Sequence, residues 1–149
     1  MITLWIILVL VAILLGITFS FYNRFAILSN RIKNSLSQID VQLKRRADLI
    51  PNLIDTVKGY AKHEKEIMKS VNDARKALVG AKDLPGKVKA DGMLEQALGK
   101  LFAIAENYPD LKASQNFLQL QDEISDTENK IQASRRFYNT QVRDFNTKI

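Results

Sequence analysis

Residues 2–22, ITLWIILVLVAILLGITFSFY, contain no charged side chain. Twenty-one residues at the helical rise span about 31 Å, the hydrocarbon thickness of a bilayer. Trp5 stands near one end and Phe19, Phe21 and Tyr22 at the other, where amphipathic rings favour the membrane interfaces. A cleaved signal peptide would want a basic leading region, a shorter apolar core and a small-x-small cleavage site, and the run has none of these. The segment therefore reads as an uncleaved transmembrane anchor over 1–22, with a helical body over 23–149.

No Lys or Arg precedes the run, whereas residues 24–46 carry six basic side chains against Asp40 alone. The positive-inside rule then puts the N-terminus outside and the body in the cytoplasm. Residues 47–109 carry ten basic and nine acidic side chains, and residues 110–149 six of each, so nearly all of the +6 formal charge lies just beyond the anchor. Arg24, Arg31 and Lys33 are the juxtamembrane cations placed to meet anionic lipid, whose attraction falls off within a Debye length. Lys44, Arg45 and Arg46 stand farther out. Nucleic acid is the other partner of a basic chain, but no basic platform interleaved with aromatics is present and no base-reading motif occurs. The absence of cysteine excludes disulfides and thiolate sites in any compartment.

Beyond the anchor the periodicity is helical, which gives an all-α fold. Ile32, Leu36, Ile39, Leu43, Ile50 and Val57 line one face, and Ile67, Val71, Ala74 and Leu78 continue it. Residues 79–92, VGAKDLPGKVKADG, collect Gly80, Pro85, Gly86 and Gly92 and read as a loop. A shorter helix follows from about Met93 to Asn107 with Leu94, Leu98, Leu101 and Ala105 inward. Pro109 then disfavours helix at Tyr108, and Ser114 offers a cap for a last helix from about residue 115. In that helix Phe117, Ile124, Ile131, Tyr138 and Phe145 recur every seven residues, a coiled-coil-like spacing.

Pro51 falls inside the first of these helices. The apolar register passes from Leu43 to Ile50 to Val57 without a phase break and no glycine lies between Lys44 and Leu53, so a kinked continuous helix is favoured over a hairpin. Proline there leaves the carbonyl of Ala47 without its donor and crowds it, a cost of about 3 kcal/mol that packing must offset. Asp48 as the cap of a fresh helix with Pro51 in its first turn is the competing arrangement. The expected architecture is an elongated antiparallel bundle of three helices kinked at Pro51, with a four-helix bundle as the alternative. An unbroken helix over 24–79 would be about 84 Å long against about 53 Å and 23 Å for the others, which would leave apolar faces for a second copy or another protein.

The blocks SQIDVQLKRRADLIPNLIDTVKGYAKHEKE and AIAENYPDLKASQNFLQLQDEISDTENKIQASRRFYNTQVRDFNTKI, with the N-terminal anchor, resemble the LemA family of bacterial single-pass membrane proteins. The resemblance covers nearly the whole chain. It implies an extracytoplasmic N-terminus, a cytoplasmic helical bundle at the bacterial inner membrane and no established enzymatic activity. Family members usually continue past RDFNTKI with a further apolar, Phe-containing segment, and nothing that segment does is carried over to this chain.

Familiar catalytic patterns are missing from the residues themselves. His63 is the one histidine; a zincin helix would need a second histidine at 67, which is Ile67, and a di-iron bundle a glutamate at 60, which is Tyr60. Asp122, Glu123, Asp126 and Glu128 share faces within two turns, but acid and base catalysis needs carboxylates in unlike environments around a pocket. They read as a solvated face or as salt-bridge partners of a neighbouring helix. No phosphate loop or nucleophile elbow occurs, and no catalytic residue, cofactor or metal is assigned. The expected function is a membrane-anchored scaffold or interaction protein that assembles with itself or with another membrane-associated protein. Action on the lipid surface is the alternative, followed by an enzyme with a site of unfamiliar pattern.

Overall fold

The computed structural model describes residues 1–148. Five helices follow in order: α1 Ile2–Tyr60, α2 Lys65–Gly80, α3 Leu84–Ala105, α4 Pro109–Lys112 and α5 Gln115–Lys148. The described residues form no strand, and the chain divides into two compact units, Met1–Gln38 with the chain from Ala133 onward, and Ile39–Gln132.

In Ile39–Gln132 four helical segments pack antiparallel. Arg75 of α2 reaches back to Ala47 of α1, while Lys65 and Met68 stand beside Ile54 and Lys58. Phe102 of α3 meets Phe117 of α5 edge-on with ring centroids 6.0 Å apart. Farther along the same pair of helices, Arg46 bridges Asp91 and Glu128. The core is the expected set of stripes: Ile39, Leu43, Ile50 and Val57 on α1, Val71, Ala74 and Leu78 on α2, Leu94, Leu98, Leu101 and Ala105 on α3, and Phe117, Ile124 and Ile131 on α5 are all buried. On α2, Met68 is buried beside a half-buried Ile67.

Two boundaries differ from the sequence reading. The helix expected to run to residue 79 ends at Tyr60, and the chain reverses over Ala61–Glu64, so the four-helix alternative is the arrangement found. This reversal uses neither glycine nor proline, and among the described residues no backbone φ is positive. Ala61 is 1 % exposed, its N–H still bonds the Val57 carbonyl at 2.8 Å, and Glu64 N–H closes the turn on the Ala61 carbonyl at 3.2 Å. With the long rod cut at Tyr60, the mismatch in helix lengths on which the uncovered stripe rested no longer has its basis.

The loop expected over 79–92 contracts to Ala81–Asp83. Pro85 lies in the first turn of α3, where a missing N–H costs nothing, and Gly92 lies inside the helix. A Cβ at Gly86 would require the Asp83 carboxylate, with an oxygen 2.6 Å away, to turn aside. Pro109 likewise opens the short α4 after Tyr108, whose φ of −121° and ψ of 85° keep it out of the helical region, as the restriction on residues before proline predicts.

In the other unit α1 is exposed throughout its apolar run, and it is long and apolar enough there to cross a membrane. Past that run α1 packs on the end of α5. The rings of Phe25 and Phe145 lie 5.2 Å apart, Leu28 and Gln141 are buried, and buried Ser35 donates its hydroxyl to the Arg31 carbonyl at 2.7 Å.

Candidate functional site

The least expected feature is a charged centre inside Ile39–Gln132. Arg46 is 2 % exposed. Its guanidinium Nη1 donates to Asp91 Oδ1 at 2.8 Å and also to Glu128 Oε2, while its Nε is buried without a partner. One α1 side chain thus ties α3 and α5 together. By sequence Arg46 counts among the basic residues beyond the anchor; its place in the core withdraws it from any outer surface. Its neighbour Arg45 stays half-exposed and pairs with Asp126 at 3.5 Å and Glu123 at 3.9 Å. Three of the four acids read as salt-bridge partners are therefore used that way, with Glu128 turned inward.

The local sequence explains the placement. Arg46 follows Leu43 by three and precedes Ile50 by four, and Asp91 precedes Leu94 by three. Glu128 follows Ile124 by four and precedes Ile131 by three. Each lies on the edge of an apolar stripe, and a charge there must find a partner when the stripe is buried.

Burial pushes the Asp91 carboxyl above its ordinary value of 3.8, and repulsion from Glu128 adds to this against the attraction of Arg46. A carboxyl that holds its proton more readily in the fold than in the unfolded chain stabilises the fold fully below pH 3.8. That contribution is lost as pH rises through the raised value. The other carboxylates titrate in both proteins, so the measurement is a difference: the stability of the wild type minus that of Asp91→Asn is expected to fall as pH rises from below 3.8. A difference independent of pH across that acid window, read by denaturant titration, would show that Asp91 carries no such shift.

The second feature answers the question raised by Pro51. Helix α1 passes through Pro51, and the carbonyl it leaves without a donor, that of Ala47, accepts a bond from Arg75 Nε at 2.9 Å. A side chain of α2 takes the place of the missing backbone N–H. Beside it runs a groove lined by Pro51, Ile54 and Met68 together with Lys58, Lys65 and Lys69.

At the end of α3, the Tyr108 hydroxyl donates to Glu64 Oε1 at 2.8 Å. That bond holds the phenol proton and raises the Tyr108 pKa, and it ties the 61–64 turn to the start of α4. His63 is exposed in that turn, where the sequence had suggested a helix face. Among the described residues no three His, Cys, Asp or Glu side chains gather as metal ligands would. Arg24, Arg31 and Lys33 are all exposed.

A membrane-length apolar helix that continues into an antiparallel helical body defines a class of helical-bundle proteins with an N-terminal apolar segment. The chain belongs to the LemA family, whose family model matches residues 35–149. It is 35 % identical over 121 residues to protein LemA of Metamycoplasma hominis, covering 80 % of this chain and 55 % of that protein. It is also 27 % identical over 154 residues to the magnetosome protein MamQ of Magnetospirillum gryphiswaldense, covering 86 % of this chain and 57 % of the relative. Similarity to the magnetosome protein MamQ 2 of Paramagnetospirillum magneticum is 25 % over 157 residues, with the same two coverages of 86 % and 57 %. The chain spans a little over half the length of these relatives.

Proposed function

We propose that this chain is a membrane-anchored helical scaffold or interaction protein that acts without catalysis. Its N-terminus lies outside, its body in the cytoplasm at a bacterial inner membrane, and it assembles with itself or with another membrane-associated protein. The observation that carries this reading is α1 itself, one helix whose exposed apolar run leads into a body whose buried charges serve to hold helices together. The basic residues after the run supply the orientation. Relatives named for the magnetosome are in keeping with a body held at a membrane.

Protease added to intact right-side-out cells is expected to leave residues 23–149 whole and to digest them once the cells are opened; digestion in intact cells overturns the topology. For assembly, the absence of cysteine allows single cysteines at Val79, Met93 and Leu118, which are 65 %, 49 % and 43 % exposed. Crosslinking in native membranes is expected to trap a second copy or a neighbouring protein from at least one of them. Monomer alone from all three, together with monomeric behaviour in detergent at every concentration, removes the scaffold reading.

A further inference from the structure

The formal charge of +6 is not shared between the two units. Ile39–Gln132 carries fifteen basic and fifteen acidic side chains, whereas Met1–Gln38 with the chain from Ala133 onward carries seven basic side chains and one acidic, Asp144. Along the sequence this is hidden, because residues 110–149 balance at six of each. The fold divides α5 so that Asp122, Glu123, Asp126 and Glu128 stay in the neutral unit while Arg135, Arg136 and Arg143 join Arg24, Arg31 and Lys33. All six of these cations are exposed, and among the described residues none of them enters an ion pair.

We infer that the end of α5 is a second membrane-contacting element, in which Arg143 joins Arg24 in binding the phosphates of anionic phospholipid headgroups. The inference rests on the reading of the apolar run as an anchor. The contact of Phe25 with Phe145 sets the last turns of α5 beside α1 three residues past Tyr22, about 5 Å along the axis. Arg143, two residues from Phe145, lies within about 3 Å of that level. The headgroup layer on each side of the hydrocarbon is roughly 5–8 Å deep, so Arg24 and Arg143 fall within it. Guanidinium forks match phosphate oxygens. Arg135 and Arg136 lie about 11 Å from Arg143 along α5, away from the membrane and beyond the screening length at physiological salt, and contribute little.

The test uses the full chain in nanodiscs of phosphatidylcholine with and without phosphatidylglycerol, each holding the same small fraction of lipid with a nitroxide on its headgroup. A bimane fluorophore on Asn146→Cys reports how closely α5 meets the headgroups. Quenching is expected to be roughly threefold stronger with phosphatidylglycerol and to collapse at high salt. Arg143→Gln should lower it to the phosphatidylcholine level, Arg143→Lys should retain most of it, and Arg135→Gln/Arg136→Gln should change it little. Equal quenching in the two lipids, or no effect of Arg143→Gln in a protein of unchanged helicity, overturns the inference. A second bimane at Leu10→Cys, read against nitroxide on the acyl chains, separates the two readings. If it is quenched, the anchor stands whatever α5 does; if it is not, the anchor falls and the α5 contact falls with it.

Discussion

Arg46→Met is expected to destabilise the bundle by about 3–5 kcal/mol, the usual cost of removing one partner from a buried ion centre. Methionine keeps most of the length of the side chain, so the loss is not one of volume. What remains is Asp91, whose side chain is 5 % exposed, and Glu128 at 20 %, two carboxylates aimed at a place where no cation stands. Against the roughly 5–15 kcal/mol typical of a folded domain, a loss of about 4 kcal/mol is large. The chain should unfold at a much lower urea concentration with an unchanged slope, since the surface exposed on unfolding is the same. Replacing all three residues, Arg46→Met with Asp91→Leu and Glu128→Leu, should recover most of the loss, because apolar groups of similar volume often equal or exceed a buried ion pair. The three effects are therefore strongly non-additive. If Arg46→Met stays within about 1 kcal/mol of the wild type, or if the triple substitution is worse than the single one, the centre does not hold the helices as described.

That centre could be located from the sequence but not assembled from it. The phase of Leu43, Ile50 and Leu53 already puts Arg46 on the α1 stripe, and the same spacing puts Asp91 and Glu128 on theirs. Their meeting, however, depends on the relative register of α1, α3 and α5, which no local pattern encodes. The apolar stripes themselves read correctly because burial of one face is what makes such helices stable, and the periodicity records it directly. The turn at Ala61–Glu64 left no such record. Without a positive φ it needs no glycine, and its helical N–H to Val57 lets the composition of α1 continue into it. At 79–92 the composition points the other way, because Pro85 and Gly92 are breakers by type, whereas a proline in a first turn and a glycine within a helix packed on its neighbours are both tolerated. Division of the charge between the two units was invisible for a third reason: it depends on which half of α5 lies in which unit.

For Pro51 the sequence raised the question and the fold supplies an answer that a double-mutant cycle can test. Ala47 is 1 % exposed, so its carbonyl must find a donor, and Arg75 Nε is that donor. Arg75→Met is expected to cost about 1–3 kcal/mol, the penalty of leaving a buried acceptor unsatisfied. Pro51→Ala returns an N–H to position 51, four residues on from Ala47, and restores the ordinary helical bond. Since alanine is favoured over proline by about 3 kcal/mol within a helix, and position 51 is exposed, that change alone should stabilise the protein by part of this amount. In the Pro51→Ala background Arg75→Met should cost little, because the carbonyl no longer depends on α2. The coupling between the two sites is thus expected to be about 1–2 kcal/mol, well above the near-additivity of independent positions. Urea midpoints of the four proteins measure it. An equal cost of Arg75→Met with proline and with alanine at position 51 would mean that Arg75 contributes through its packing alone, and that α1 tolerates its proline by some other route.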